Sequence, residues 1–246
     1  MSNLNGKTVL VTGANRGIGA AVVRELLKAG VAKIYAAARK PSALPDFGDA
    51  RVQPLALDIT DKASVQAAAA AAGDTDVLIN NAGTAVFADF IDSPLDAIQA
   101  DMDTNYYGTL NVLRAFVPLF TRRGSGTIAN VASVVGLTSS PPLAGYSASK
   151  AALHSLTQTL RVTLRDRGVK VLGIYPGPID TELARDIKID KASPESAARL
   201  IVAGLEKDET YIFPDPIAQH IGTLWETDGR SLDVALASRA EQVEHA

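Results

Sequence analysis

Short apolar runs alternate with amphipathic stretches along the chain. The runs are rich in β-branched residues and lack the strict polar alternation of half-exposed strands, a pattern typical of strands buried on both faces of a parallel sheet. They predict strands at residues 7–13, 32–39, 52–58, 76–80, 126–133, 169–177 and 209–213.

The amphipathic stretches predict helices between these strands, at residues 17–28, 64–72 and 146–165. Two further helices begin at Ser-Pro pairs, where Ser93 and Ser193 are the predicted N-caps and proline occupies the first helical position. The first of these opens a long helical region, with a predicted break near Asp101.

Regular alternation of strands and helices predicts an α/β fold in which helices cover both faces of one doubly wound, Rossmann-like parallel sheet of about seven strands. The chain has 246 residues, a size at which single α/β domains are common. No internal repeat or linker interrupts the pattern, so we expect one domain over residues 1–246.

Composition narrows the function classes. Hydrophobic residues make up 47% of the chain, and the net charge of −3 gives no general attraction for nucleic acid or anionic lipid. Without cysteine there is no disulfide, thiolate nucleophile or cysteine-ligated zinc. The start of the chain lacks a signal-peptide pattern and no apolar run approaches the roughly 18 residues of a membrane span. We therefore expect a soluble, cytoplasmic protein that binds neither membrane nor nucleic acid.

A glycine-rich turn, TGANRGIG at residues 12–19, lies between the first strand and the first helix. Glycines let backbone approach a phosphate at a helix amino terminus, where the N–H groups point outward. The spacing differs from the common G-x-G-x-x-G fingerprint, and a purely structural turn is the alternative reading.

The second strand ends in Arg39, at the place where dinucleotide-binding folds commonly carry an acid for the adenosine ribose. Arg39, with Arg16 closing from the glycine turn, suits a 2′-phosphate, so NADP is favoured over NAD. Ordinary solvated arginines are the alternative. Asp58, at the end of the third strand, is expected either to accept a hydrogen bond from adenine or to cap the following helix.

The fourth strand ends in NNAG, Asn80 to Gly83, at the sheet edge where ligands of open α/β sheets bind. The amides of this segment either contact the cofactor or hold neighbouring loops together. The two readings are equally favoured by the sequence.

The order of these segments resembles the short-chain dehydrogenase/reductase family over nearly the whole chain. T-G-x-x-x-G-x-G begins at Thr12 and is followed by N-N-A-G, then by Asn105 in a long helix. Ser133, the Y-x-x-x-K pair Tyr146 and Lys150, and P-G-x-I-x-T at residues 176–181 complete the family order.

The resemblance implies hydride transfer between nicotinamide C4 and a carbonyl or alcohol carbon, with Tyr146 exchanging the proton. A free phenol has a pKa near 10, and Lys150, four residues along the same helical face, is expected to lower it and to hold the nicotinamide ribose. Ser133 is expected to bind the substrate oxygen. By family analogy, Asn105 holds a water that resupplies the proton.

The expected cofactor-binding residues combine these motifs with their immediate neighbours. They are Gly13, Asn15, Arg16, Gly17, Ile18, Gly19, Arg39, Asp58, Ile59, Asn81, Ala82, Gly83, Tyr146, Lys150, Pro176, Gly177, Ile179 and Thr181. Thr181 and the backbone of Ile179 are expected to fix the nicotinamide carboxamide.

Substrate choice is expected to reside in loops 134–145 and 176–193 and in the carboxyl-terminal tail. An apolar wall for a small or medium hydrophobic ketone or aldehyde is expected from Val135, Leu137, Leu143, Leu183 and Ile187, beside Ser133 and Tyr146. Loop 176–193 is a candidate lid.

Other readings stay open at this level. A Ser–Tyr pair on the same fold also serves non-redox chemistry such as dehalogenation or epimerisation, and a nucleotide-sensing binding protein is the third class. His154 is expected to pack rather than catalyse, and neither His220 nor His245 has metal-ligand spacing, so no metal is expected. The family implies a homodimer or homotetramer through the helices of Asn105 and Tyr146; the apolar residues 112–120 fit either that interface or the core.

Overall fold

A computed structural model describes residues 4–229 and residue 232. Within these residues seven parallel strands form a single sheet in the order β3-β2-β1-β4-β5-β6-β7. The strands are β1 Thr8–Thr12, β2 Lys33–Ala38, β3 Val52–Ala56, β4 Val77–Asn80, β5 Gly126–Val131, β6 Val169–Ile174 and β7 Tyr211–Ile212. The predicted doubly wound α/β fold is confirmed.

Helices connect the strands on both sides of the sheet. They are α1 Gly17–Lys28, α2 Lys62–Ala71, α3 Leu95–Asp101, α4 Thr109–Arg123, α5 Ala144–Leu164, α6 Pro194–Lys207 and α7 Pro216–Asp228. A π-helical segment, Met102–Gly108, joins α3 to α4. None of the helices in this described part of the chain is both long and apolar enough to cross a bilayer.

Two main clusters of buried side chains lie on opposite faces of the sheet. Alternate residues of β1 belong to different clusters, because successive strand side chains point to opposite faces. Val9 and Val11 pack with α1 and α6, whereas Leu10 packs with α2, α4 and α5. A smaller third cluster, around Tyr175, packs α7 near the carboxyl ends of β5 and β6. Helices therefore cover both faces, as predicted.

The β3 strand differs from the predicted buried pattern. It lies at the edge of the sheet, and three of its five residues, including Pro54, are exposed. Proline has no N–H to donate to a further strand, which suits it to an edge.

The long helical region begins one residue later than predicted. Pro94 occupies the cap position, and the Ser93 hydroxyl donates instead to the carboxylate of Asp89. Ser193 does cap α6, accepting a hydrogen bond from Ser196 N at 3.1 Å, as predicted. The predicted break near Asp101 is present, because α3 ends there and the backbone becomes π-helical.

Apolar side chains in the stretch 112–120 face the protein core. Val112, Leu113, Phe116 and Phe120 are all buried on the sheet face covered by α2 and α5. The sequence left open whether this stretch packs in the core or in a subunit interface, and packing in the core accounts for these four side chains.

Candidate active site

A cleft of about 980 Å³ lies over the carboxyl ends of the central strands. Strand order reverses between β1 and β4, and such a switch point opens a crevice between the connections that leave the sheet on opposite faces. Every residue expected to bind cofactor lines this cleft, so the structure brings the separate motifs together in space.

The glycine-rich turn is closely packed against the NNAG segment. Gly13 and Gly17 have φ values of 67° and 54°, in the left-handed region that favours glycine. A Cβ on Gly13 would lie 2.8 Å from Ala82 Cα, and one on Gly19 would lie 2.2 Å from the Gly13 carbonyl oxygen. No side chain caps the start of α1. The helix amino terminus is thus open toward the cleft, as phosphate binding requires.

Thr12 and Asn81 fasten this turn to the end of β4. The buried Thr12 hydroxyl accepts hydrogen bonds from the backbone N–H groups of Asn81 and Ala82, both at 2.9 Å. The Asn81 side chain donates to the carbonyls of Thr12 and Gly13. The loop-holding reading of NNAG is therefore correct for the Asn81 amide, while the segment also lines the cleft.

Arg39 and Asp58, the residues expected at the adenosine, line one part of the cleft. Arg39 is exposed, and its charge helps to lower the pKa of Asp58. The Asp58 carboxylate accepts hydrogen bonds from the Thr60 N–H and hydroxyl, and the Thr60 hydroxyl bond is the main cause of the lowered pKa. The alternative role of Asp58 as a helix cap is wrong, because Asp61 caps α2 by accepting from Ala63 N.

Arg16 lines the cleft, and its predicted contact with a 2′-phosphate stays a prediction. Its guanidinium forms an ion pair with Glu182, at the start of a short 3-10 turn in loop 176–193. Both side chains are more than half exposed, and such a pair adds little stability. It does connect the glycine turn to the candidate lid.

Tyr146 and Lys150 lie one turn apart near the start of α5, with the Lys150 Nζ 5.5 Å from the centre of the Tyr146 ring. Lys150 is buried, and its ammonium donates to the carbonyl oxygen of Val131 at 2.8 Å. Burial lowers the pKa of Lys150 to about 8. The two side chains lie on the same face of α5, as the helical spacing predicts, but the ammonium binds a backbone carbonyl and not the phenol.

The expected lowering of the phenol pKa by Lys150 is wrong for this arrangement. Burial raises the pKa of Tyr146 to about 12, and a hydrogen bond with Ser133 opposes the rise only in part. The physical reason is that removing a phenolate from water is unfavourable, while the Lys150 ammonium is directed at Val131 rather than at the phenol oxygen. Tyr146 is therefore protonated throughout the neutral range.

Ser133 follows the end of β5 and caps a short 3-10 turn. Its hydroxyl accepts from Val135 N at 3.4 Å and donates to the Pro176 carbonyl at 3.2 Å. The side chain is buried at the base of the cleft beside the phenol of Tyr146. A hydroxyl so placed can donate to an oxygen that enters the cleft.

Asn105 lies behind the cleft, in the π-helical segment, and is fully buried. Its side-chain amide donates to the Thr84 carbonyl and to the Ser149 hydroxyl, and its oxygen accepts from Thr84 N, each at 2.9 Å. The Ser149 hydroxyl in turn donates to the backbone carbonyl of Tyr146. Both amide hydrogens are thus used by protein groups, and the water-holding role of Asn105 stays a prediction.

The expected apolar wall is largely assembled. Val135, Leu143, Leu183 and Ile187 all line the cleft, but Leu137 packs against the cluster around Tyr175 instead. Most of the carboxyl-terminal tail, including His245, lies outside the described residues.

His154 does not line the cleft. Its ring packs edge-on against Tyr175 and Trp225, and Nδ1 lies 2.7 Å from the Tyr175 hydroxyl. The packing prediction for His154 is confirmed by these contacts.

Several site residues carry no local signal that sequence reasoning could use. Thr84 and Glu182 line the cleft but belong to no quoted motif apart from their proximity to NNAG and P-G-x-I-x-T. Asp101 is fully buried behind Thr84, although an acid in a helix is ordinarily solvated. These residues are recognised only through tertiary contacts.

The comparisons with known proteins agree with this geometry. Residues 7–192 match the family model described as short chain dehydrogenase. The NADP-dependent 3-hydroxy acid dehydrogenase of Schizosaccharomyces pombe is 31% identical over 242 residues, covering 88% of this chain and 93% of the relative.

Solved structures show the same likeness. A short chain dehydrogenase from Burkholderia cenocepacia in complex with NADP has a TM-score of 0.90 at 37% identity, covering 96% of this chain and 99% of the other. A short chain dehydrogenase/reductase from Burkholderia phymatum in complex with NAD has a TM-score of 0.81 at 25% identity, covering 91% and 94%. With its motifs gathered in one cleft, this chain belongs to the short-chain dehydrogenase/reductase family of oxidoreductases.

Proposed function

We propose that this protein is a single-domain, NADP(H)-dependent carbonyl reductase. It transfers hydride between nicotinamide C4 and the carbonyl carbon of a small or medium hydrophobic ketone or aldehyde. The observation that carries the proposal is the convergence of Ser133, Tyr146 and Lys150 in the cleft that also holds the glycine turn and Arg39.

The residues of the cleft fit a dinucleotide. The uncapped start of α1 offers N–H groups to the pyrophosphate, and Gly13 and Gly17 keep side-chain atoms out of its path. Arg39 offers a planar fork to a 2′-phosphate, with no acid at the end of β2 to favour a free ribose hydroxyl. The NADP named in the relative and in the first of the two solved structures supports this choice, whereas the NAD-bound structure shows that the fold also accepts the other cofactor.

The chain itself supplies the proton and the binding of the substrate oxygen. NADPH, when bound, supplies the hydride. Tyr146, protonated at neutral pH, donates its proton to the carbonyl oxygen as negative charge develops there. Ser133 donates a second hydrogen bond to the same oxygen, exchanging its present acceptor, the Pro176 carbonyl. Lys150 would hold the ribose hydroxyls of the bound cofactor, and its ammonium lies 5.5 Å from the centre of the Tyr146 ring.

The substrate side of the cleft favours apolar groups. Val135, Leu143, Leu183 and Ile187 contribute hydrocarbon surface around Tyr146. A hydrophobic substituent on the carbonyl carbon gains from burial against this wall, and a charged one loses hydration without gaining a partner.

The test is a panel of aliphatic and aromatic aldehydes and ketones, followed by the absorbance of NADPH and of NADH. Wild-type protein is expected to prefer NADPH. Arg39→Ala is expected to raise the KM for NADPH by about tenfold or more, the loss of a charge-assisted hydrogen bond, and to leave the KM for NADH nearly unchanged.

Arg114→Ala is the matched control, because Arg114 is exposed on α4 and does not line the cleft. A wild-type preference for NADH, or an Arg39→Ala variant that keeps its preference for NADPH, contradicts the cofactor assignment. Tight NADP binding without turnover of any carbonyl contradicts the reductase assignment and favours a nucleotide-sensing protein.

A homodimer or homotetramer through α3, α5 and the π-helical segment belongs to the same proposal. Leu95, Tyr107 and Val162 are each at least half exposed on these elements. Sedimentation velocity of the wild type and of Val162→Glu is the test; a monomer in both contradicts it.

A further inference from the structure

Asp101 is a buried acid for which the proposed chemistry has assigned no role. It is the last residue of α3, and its side chain has no exposed surface. A carboxylate removed from water is unfavourable unless it is paired or hydrogen-bonded. The buried carboxylate of Asp101 therefore needs hydrogen-bonding partners, and these lie in the wall of the active site.

The carboxylate accepts two hydrogen bonds from the segment that follows NNAG. Asp101 Oδ1 accepts from the Thr84 hydroxyl at 3.0 Å, and Oδ2 accepts from the Val86 N–H at 3.1 Å. Thr84 lines the cleft, and its backbone N–H and carbonyl both bind the side chain of Asn105. Asp101 thus holds the loop residues 84–86 in place, and Thr84 in turn binds the Asn105 side chain.

From Asn105 the contacts continue to the catalytic helix. The Asn105 amide donates to Ser149, and Ser149 donates to the Tyr146 carbonyl. Gly83 fills the space between Asn105 and Lys150, where a Cβ would lie 2.8 Å from Asn105 Oδ1 and 3.5 Å from Lys150 Nζ. One network therefore joins α3, the NNAG loop and α5.

We propose that Asp101 is a positioning residue for the reductase reaction: it fixes Thr84 and Asn105 against α5 and supplies a negative charge that acts on Lys150. The inference rests on the proposed function for its kinetic consequence. Its structural consequence, at Lys150, is independent of turnover.

The negative charge of Asp101 acts on two titratable side chains. Among residues 4–229, Lys150 and Tyr146, both on α5, are the titratable groups whose pKa values the Asp101 charge raises. Thr84 and Val86 face Asp101 as hydrogen-bond donors from the loop. Burial raises the pKa of Asp101, and these donors and Lys150 oppose the rise. Burial lowers the pKa of Lys150 to about 8, and Asp101 opposes that fall. Removing the carboxylate charge should therefore release a proton from Lys150 at a lower pH.

Asp101→Asn separates charge from hydrogen bonding. An asparagine oxygen can accept from Val86 N while its NH₂ donates to the Thr84 hydroxyl, so both contacts survive without the charge. Since the contacts survive, the substitution acts through the charge on Lys150: we expect the alkaline limb of the pH profile to move to lower pH, so that kcat near pH 8 falls several-fold, and the KM for NADPH to stay close to that of the wild type.

Lys150 is followed directly by NMR of protein with ¹³C-labelled lysine ε-carbons, its resonance assigned through its loss in Lys150→Arg. Wild-type Lys150 is expected to titrate at about 8. In Asp101→Asn the midpoint is expected to fall by about one pH unit. Asp103→Asn, the same change at an exposed site two residues along, is the matched control and should leave kcat and the midpoint unchanged.

Thr84→Val and Thr84→Ser keep the charge and test the hydrogen bond. Valine removes the donor to Asp101 and should lower kcat, whereas serine retains a hydroxyl and should restore it. If Asp101→Asn does not fold, this pair decides: equal kcat values in the two Thr84 variants overturn the proposal.

If Asp101→Asn folds, an unchanged Lys150 midpoint overturns the proposal. Failure of the wild type to reduce any carbonyl refutes the proposed function instead. In that case the Lys150 midpoint in Asp101→Asn still decides the inference about Asp101.

Discussion

Replacing Gly13 with alanine introduces both backbone strain and a steric clash in the glycine turn. The same replacement at Gly124 is the matched control, because it introduces the strain without the clash. The two glycines have φ values of 67° and 64°. An L-residue in this left-handed region costs about 1–2 kcal/mol at either position. Their surroundings differ: a Cβ on Gly124 meets nothing within 4 Å, whereas one on Gly13 lies 2.8 Å from Ala82 Cα.

The contact at Gly13 is with backbone, so no side chain can rotate out of the way. Ordinary contacts begin at 3.4 Å, so the NNAG backbone has to move by about 0.6 Å. Overpacking of this kind adds about 1–3 kcal/mol. We expect Gly13→Ala to lower the free energy of unfolding by about 2–5 kcal/mol and Gly124→Ala by about 1–2 kcal/mol.

Cofactor affinity should separate the two variants further. Gly124 ends α4, near the start of β5 and hence at the opposite edge of the sheet from the cleft, so Gly124→Ala should bind NADPH as the wild type does. Gly13→Ala displaces N–H groups of the proposed pyrophosphate site, and we expect the Kd to rise by about tenfold or more, which is 1.4 kcal/mol or more. Urea unfolding and NADPH fluorescence titration measure the two quantities. Equal losses of stability and equal Kd values in the two variants would refute the reasoning.

Two further predictions concern pH and the loop at Pro176. Burial lowers the pKa of Lys150 to about 8, so its ammonium is present below that pH and lost above it. We therefore expect kcat/KM for NADPH-dependent reduction to decline as pH rises through about 8, and a profile that is flat to pH 10 would contradict this. Buried Asp215 accepts from Gly177 N at 2.7 Å and caps α7, so Asp215→Ala should lower the free energy of unfolding by about 1–3 kcal/mol and raise the Kd for NADPH. Asp61→Ala is the control, because it removes the cap of α2, which lies outside the cleft, and should lower stability without changing NADPH binding. An equal rise of the NADPH Kd in Asp215→Ala and Asp61→Ala would exclude a specific role for the contact between Asp215 and Gly177.

Local sequence was enough to predict the features that depend on short stretches of chain. Helix α1 has the predicted bounds because its glycine turn and apolar periodicity lie within the same few residues. The long helical region does break at Asp101, but its π-helical continuation was not predicted. Asn105, in this segment, binds Thr84 and Ser149, and such tertiary contacts cannot be derived from local sequence.

The sequence predicted which residues line the cleft, but it did not predict the pKa shifts and ion pairs of their side chains. Ordered motifs identify the residues of the cleft, because strand ends of a parallel sheet meet at one edge. The direction of the Tyr146 pKa depends on burial and on where Lys150 points, and neither follows from a spacing of four residues. The Arg16–Glu182 pair likewise depends on how loop 176–193 folds over the glycine turn.

The central claim, that Tyr146 is the proton donor of an NADPH-dependent carbonyl reduction, is tested most directly by Tyr146→Phe. The variant removes one oxygen from the cleft and leaves the glycine turn and Lys150 in place, so its Kd for NADPH should remain close to that of the wild type. Tyr107→Phe, at an exposed position in the π-helical segment, is the control. With the best carbonyl of the panel, Tyr146→Phe should lower kcat by about 10²–10⁴-fold; a Tyr146→Phe enzyme that retains wild-type kcat would contradict the account.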